Sequence, residues 1–251
     1  MLSIRHVCLV TLLSLFTTCR TVDHRSSITV AAASNLSEVF TEIAEKFLRE
    51  SGIRVVYSFA STAQLAQQIE NAAPFDVFAS ADTEHVDALI RKGQLTPESR
   101  AVFARGRLAL WLPGATALGL ESLASPAIRF ISIANPAVAP YGRAAVETLK
   151  AAGLWDRVQD KIVYASNISM ARQHAASGNA DAAFTALSLV LKDKGTVLRV
   201  EENLHSPVDQ ALGILTSSKR KANANSFRNF LIGSSGRTIL ARYGYSFPSV
   251  K

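Results

Sequence analysis

The sequence predicts an α/β fold in which parallel or mixed sheets carry helices on both faces. Short β-type runs alternate with helical patterns along the chain. Several of the runs, such as Leu108-Ala109-Leu110-Trp111-Leu112, are apolar at nearly every position, as strands covered on both faces are. The turns that lead from strand to helix repeatedly carry hydroxyl residues or glycine, and ligands of such sheets gather at the carboxyl ends of the strands.

The first segment stands apart. Arg5 precedes an apolar run from Val7 to Phe16 and small polar residues follow, the pattern of a secretory signal peptide ending near residue 22. The run is too short for a transmembrane helix. Cys8 and Cys19, the only cysteines, lie in or at the end of this segment, so the exported part has neither a disulfide framework nor a thiol catalyst. Leu15-Phe16-Thr17-Thr18 fits poorly to the small residues that precede a lipidated cysteine, and ordinary export is preferred to anchoring at Cys19.

Ile28 to Ala33 reads as a strand that delivers Ser34-Asn35 to a helix with Leu36, Val39, Phe40, Ile43, Phe47 and Leu48 on one face. Asn35 and Glu38 have capping-box spacing, and Gly52 is the C-cap. Ile53 to Phe59 is a strand, and Ser61-Thr62 opens the next helix, with Gln64 three residues after Ser61. Pro74 to Ala79 gives a short buried strand, and Asp82 caps a helix that ends near Lys92-Gly93. Arg107 to Leu112 is a strand stopped by Pro113-Gly114. The first crossing between lobes falls just before it. After a short helix from Glu121 to Ala124 come a strand at Phe130–Ile133, the turn Ala134 to Gly142 and a helix from Arg143 to Ala152.

Ile162-Val163-Tyr164 is a strand followed by the turn Ala165-Ser166-Asn167-Ile168-Ser169 and a helix that stops at Ser177-Gly178. A strand at Ala182–Thr185 leads into a helix reaching Lys192, and Val197 to Val200 is a strand. Leu204 to Gln210 reads as a connection back, Ala211 to Leu215 as a strand, and two helices near Ala222–Leu231 and Ser234–Tyr243 finish the chain.

At 251 residues, 48% hydrophobic and 19% charged, the chain has room for one large or two small domains. The net charge of +7 is spread; only Lys219-Arg220-Lys221 forms a run, and it lacks aromatic interleaving and any nucleic-acid motif. No Gly-x-Ser-x-Gly elbow, His-Glu-x-x-His or phosphate-binding Gly-x-x-x-x-Gly-Lys occurs, and no Cys/His cluster suggests a metal. A serine hydrolase would need a pairing such as Ser34–His174 or Ser61–His205, which nothing in the spacing supports. Not an enzyme is the better expectation, with no cofactor.

Four turns offer hydroxyls or backbone amides: Ser34-Asn35, Ser61-Thr62, Pro140-Tyr141-Gly142 and Asn167-Ile168-Ser169, none with Lys or Arg at its tip. Each can be read as a helix cap or as an anion site, because free N–H groups and the positive end of the helix dipole lie together there. A site of neutral donors suits a fully ionised oxyanion, which accepts hydrogen bonds and donates none. A protonated phosphate would also require an acceptor, so molybdate, tungstate or sulfate is favoured over phosphate.

Several motifs stand in a telling order: Ala31-Ala32-Ala33-Ser34-Asn35-Leu36, Phe59-Ala60-Ser61-Thr62, Pro74-Phe75-Asp76-Val77-Phe78-Ala79-Ser80-Ala81-Asp82, Asn135-Pro136 through Ala139-Pro140-Tyr141-Gly142-Arg143, and Arg242-Tyr243-Gly244-Tyr245. With these the chain resembles, from about Ser27 to its end, the periplasmic molybdate-binding proteins that feed an ABC-type importer. The resemblance implies a two-lobed periplasmic binding protein fold, each lobe a mixed, mostly parallel sheet with helices on both faces. The lobes expected are residues 27–106 with 207–251, and 107–206. It also implies an exported monomer that binds molybdate and tungstate, and a membrane permease as partner, with no nucleic acid.

Carried over position by position, the ligand contacts fall on Ser34, Asn35, Thr62 with Ser61 beside it, and the backbone amide of Ile168, all to oxyanion oxygens and none to the metal. One branch of the family adds a tyrosine hydroxyl where this sequence has Ala186. A second draws its tyrosine from the Pro-Tyr-Gly turn, and Tyr141 places the chain in that branch. A receptor for sulfate or another small oxyanion, a secreted hydrolase and the sensing domain of a regulator are the alternatives.

Overall fold

A computed structural model describes residues 27–114 and 119–248. The signal-peptide segment, with Cys8 and Cys19, lies outside the described residues. Two five-stranded sheets form the core. The chain begins with β1 (Ser27–Ala33), α1 (Ser37–Ser51), β2 (Arg54–Ala60), α2 (Thr62–Glu70), β3 (Val77–Ser80), α3 (Glu84–Arg91) and β4 (Ala101–Gly106). It then crosses to β5 (Leu108–Leu112), β6 (Ile131–Ala134), α4 (Pro140–Ala151), α5 (Trp155–Val158), β7 (Ile162–Ala165), α6 (Ile168–Ala176), β8 (Ala182–Ala186), α7 (Leu187–Val190) and β9 (Thr196–Arg199). It returns through β10 (Val208–Ile214) and ends in α8 (Lys221–Ile232) and α9 (Ser234–Arg242).

The first sheet has the order β2-β1-β3-β10-β4 and the second β7-β6-β8-β5-β9. β1 pairs in parallel with β2 and β3, and β6 with β7 and β8. β10 is antiparallel to both its neighbours, as is β5. One strand in each sheet therefore runs against the rest, which makes each a mixed and mostly parallel sheet. The chain passes between the sheets at Arg107 and again between β9 and β10.

Alternation along β1 puts helices on both faces of the first sheet. Val30 and Ala32 join one apolar cluster with Phe40, Phe47 and Phe227 of α1 and α8, whereas Ala31 joins another with Leu65, Ile69, Val86 and Leu89 of α2 and α3. Phe227 meets Phe47 and Phe40 edge-on, with centroids 5.4 and 6.1 Å apart. α1 ends where Gly52, at φ 71°, donates its N–H to Leu48 O at 2.9 Å.

Three local expectations need correction, and one strand has no counterpart among them. β4 was not foreseen, because Ala101-Val102-Phe103-Ala104-Arg105-Gly106 is short and broken by an arginine; its strand character comes from pairing with β10. Val208 to Gln210 is strand and not connection, with Asp209 stitched to Arg105 by two hydrogen bonds of 2.5 and 3.0 Å. The helix expected to reach Lys192 is a single turn, Leu187–Val190. Asn35 does not cap α1, which has no side-chain cap; a 3-10 turn, Ser34–Leu36, comes first.

Candidate functional site

The four turns meet between the sheets. Ala33, Ser34, Asn35, Ala60, Ser61, Thr62, Ala81, Ala139, Pro140, Tyr141 and Ile168 line one small cavity of about 200 Å³ including its open mouth. No Lys, Arg, His, Asp or Glu lines it. Every residue singled out as a ligand contact, namely Ser34, Asn35, Ser61, Thr62, Tyr141 and Ile168, is on this wall.

Each turn supplies something different. Ser34 follows β1 directly and is 4% exposed. Its carbonyl accepts from Ser169 Oγ of α6 at 2.8 Å, which ties the first turn to the fourth. Ser61 caps α2: its N–H and hydroxyl both donate to Gln64 Oε1, at 3.3 and 2.8 Å. The Ser61 proton is thus committed to its helix. Thr62 Oγ1, in contrast, accepts the Ala81 amide at 3.2 Å. A hydroxyl has one proton and two acceptor positions, so this bond leaves the Thr62 proton free to be donated into the cavity.

Ile168 is the first residue of α6, whose cap Asn167 accepts from Met170 N at 3.0 Å. Amides in the first turn of a helix have no carbonyl one turn back, and Ile168 N–H is one of them. Tyr141 is in the same situation, one residue after Pro140 at the start of α4. Gly142 lets that helix start lie on the end of β6, since a Cβ there would stand 2.1 Å from Ala134 O.

The Tyr141 hydroxyl is fully buried and has no hydrogen-bond partner among the described residues. It lies close to Gly106 and Gln210. Burial, reinforced by the nearby Tyr245 and only partly offset by Asn35, holds its pKa well above the usual tyrosine value, so it is a neutral phenol. The resemblance implies a tyrosine from this turn as a ligand contact; Tyr141 is on the cavity wall, with its buried hydroxyl beside Gly106 and its amide at the open start of α4.

Asn35 anchors the first turn from behind. Its Nδ2 donates to Gln210 Oε1 at 2.8 Å and to the Tyr245 hydroxyl at 3.0 Å. Its carbonyl accepts from Tyr245 at 3.0 Å and from Ser188 Oγ at 3.1 Å. Burial pushes the Tyr245 hydroxyl up to about 12, which keeps it a donor. Ala81, Gln210 and Ser188 were not foreseen as parts of the site. Ala81 sits inside the Pro74 to Asp82 motif, which carries the resemblance without a ligand role, and Gln210 and Ser188 come to Asn35 through tertiary pairing, with no local signal.

The two halves of the molecule touch around the cavity. Ala63 N–H of α2 donates to Val138 O at 3.2 Å. On one rim Arg143 of α4 bonds Glu84 at 2.8 Å and Asp82 at 3.1 Å; on the other Arg172 of α6 lies 3.7 Å from Glu38. These contacts tie the two halves to each other.

A larger crevice of about 710 Å³ lies beside Arg143, lined also by Asp82, Glu84, Glu147 and Asp209. Its carboxylates oppose an anion, and the smaller neutral cavity is the better site for one. The hydrolase alternative requires a histidine at Ser34 or Ser61. The described histidines bond elsewhere: His85 to Asp82, His174 to Ser132 Oγ and His205 to Ser206 O. No group of three or more His, Cys, Asp or Glu among the described residues could hold a metal ion.

Comparisons with known proteins fit this geometry. Residues 28–246 match the family described as bacterial extracellular solute-binding protein. The molybdate-binding protein ModA of Azotobacter vinelandii is 36% identical over 226 residues, covering 88% of this chain and 90% of the relative. The ModA of Rhodobacter capsulatus is 32% identical, covering 87% of each. The solved structure of the Azotobacter vinelandii periplasmic molybdate-binding protein superposes with a TM-score of 0.85 at 34% identity, over 88% of this chain and all of that one.

Proposed function

Because the chain belongs to the bacterial extracellular solute-binding protein family, we propose that it captures molybdate, and tungstate with it, between its two lobes and delivers the anion to the membrane permease of an ABC importer. The observation that carries this reading is the cavity wall: hydroxyls and helix-start amides from four turns, with no charged side chain. A desolvated anion is costly unless its oxygens are met by donors, and helix starts supply them together with the favourable end of the dipole. Relatives that cover almost the whole chain and bear the name molybdate-binding protein support the choice of oxyanion.

In this reading Ser34 and Thr62 donate hydroxyl protons, and Asn35, Tyr141 and Ile168 donate backbone N–H groups. Ser61 holds α2 in place beside them. All contacts are to oxygens, and no cofactor takes part. Residues 27–106 with 207–251 form lobe one and 107–206 lobe two, a division supported by the membership of the two sheets. The protein works as a monomer in the periplasm, exported by the segment ending near residue 22, and acts as a carrier and not as an enzyme. Ligand and closed form stabilise one another, so the ligand selects the shut arrangement.

Titration calorimetry of the protein against molybdate, tungstate, sulfate and phosphate tests it. Tight binding of the first two with weak or no heat from the others is the expected result. No heat and no thermal shift with either molybdate or tungstate sinks the reading.

A further inference from the structure

The buried hydroxyl of Tyr141 has a neighbour whose identity matters. A Cβ built on Gly106 would stand 1.9 Å from the Tyr141 hydroxyl oxygen, 2.9 Å from its ring Cζ and 3.1 Å from Gln210 Nε2. Gly106 is the last residue of β4, one position before the crossing at Arg107, and it pairs with Val208 of β10. Gly106 is absent from the glycines of positive φ, which include Gly52, Gly93 and Gly153. Its backbone conformation is therefore open to any residue. Space, and not backbone freedom, is what calls for glycine here.

We propose that Gly106 is a positioning residue for the oxyanion site: the Tyr141 ring is a strut between the start of α4 and the crossing strand, and the bare Cα at 106 is its seat. The inference rests on the molybdate reading above. The ring is rigid, and its backbone end is the donor amide of Tyr141. The depth of the seat therefore sets how far the start of α4 reaches toward Ser34 and Thr62. Gln210 closes the other side of the seat while holding Asn35 at 2.8 Å, so the same spot braces donors from both lobes. A methyl at 106 would drive the ring back by about 1 Å, enough to stretch a hydrogen bond beyond its useful range.

The test is calorimetry with molybdate, together with ligand-free thermal unfolding, for Gly106→Ala in three backgrounds: Tyr141, Tyr141→Phe and Tyr141→Leu. Phe removes the 1.9 Å contact and leaves the 2.9 Å one; Leu removes both, and each keeps the amide. With Tyr141 in place, Gly106→Ala should weaken binding about 10-fold or more. That factor should shrink with Phe and fall below about 3-fold with Leu.

An equal factor in all three backgrounds overturns the inference, because the glycine then acts through the crossing strand alone, while the molybdate reading stands. If Gly106→Ala fails to fold beside Tyr141 but folds beside Leu, the steric seat is supported; failure in both overturns it. No heat from the unaltered protein removes the molybdate reading and the inference together.

Discussion

Replacing Thr62 by valine separates the two things its hydroxyl does. Valine keeps the shape of a side chain that is 1% exposed, so neither the cavity nor the packing of α2 changes in volume. The hydroxyl oxygen accepts the Ala81 amide at 3.2 Å, and its proton is the one proposed for the oxyanion. Loss of a hydrogen bond to a charged acceptor costs about 1.5–3 kcal/mol, or about 10- to 150-fold in affinity. The Ala81 amide is left without its partner, which adds about 1–3 kcal/mol of lost stability and lowers the melting temperature by several degrees.

Thr62→Ser restores both groups and should bind within about 3-fold of the unaltered protein. Calorimetry with molybdate and melting of the ligand-free protein read the two effects separately. If Thr62→Val melts lower yet binds molybdate as tightly as Thr62→Ser, the hydroxyl serves only Ala81 and the reasoning is refuted.

Ile168→Pro should keep α6, because proline suits the first helical position and Asn167, at φ −160° and ψ 175°, already has the extended conformation a following proline demands. It removes the donor amide, and molybdate affinity should fall about 10-fold or more, whereas Ile168→Ala keeps the amide and binds within about 3-fold; equal affinities would dismiss the amide as a contact. Burial disfavours the Asp82 carboxylate, but hydrogen bonds and charge from His85, with Ser80, outweigh it and hold its pKa below the usual value. The folded pKa being the lower one, this contribution is complete above the unfolded value and lost as pH falls through the folded one. Ligand-free melts should thus drop more steeply from about pH 5 to about pH 3 than those of Asp82→Asn; parallel profiles would contradict the shift. Phe40→Ala empties a fully buried site among Tyr57, Phe103 and Phe227 and should cost about 3–5 kcal/mol in denaturant unfolding; a loss under about 1 kcal/mol would mean the core closes over the gap.

The fold was legible where local pattern and tertiary role agree. Most of the apolar face of α1, the Ser61–Gln64 capping box and the run of β5 satisfy short-range chemistry and then pack as written, whereas Leu48 at the end of α1 stays exposed. Where the role is purely tertiary the sequence is mute. β4 has no alternation and an arginine near its end, and it is a strand because β10 offers a partner. Asn35 has the spacing of a cap, yet Gln210 and Tyr245, far along the chain, take its side-chain amide protons because the position is buried and those donors need partners. The four turns that line the cavity were legible since helix starts leave a local signature. The closeness of the Tyr141 hydroxyl to Gly106 was not, as it rests on a contact between positions far apart in the chain.

The proposed donors come from both sheets: Ser34, Asn35 and Thr62 stand on one sheet's turns, Tyr141 and Ile168 on the other's. On the molybdate reading, neither lobe alone can hold the dianion, since part of a set of hydrogen bonds leaves the remaining oxygens stripped of water with nothing in return. An ajar protein is therefore a poorer host than either the shut protein or open water. The uncharged lining adds to this, because no proton has to move and no counter-ion has to arrive for the anion to leave. A transporter that pries the lobes apart needs no chemistry of its own to empty them; it applies force to a trap that lets go all at once.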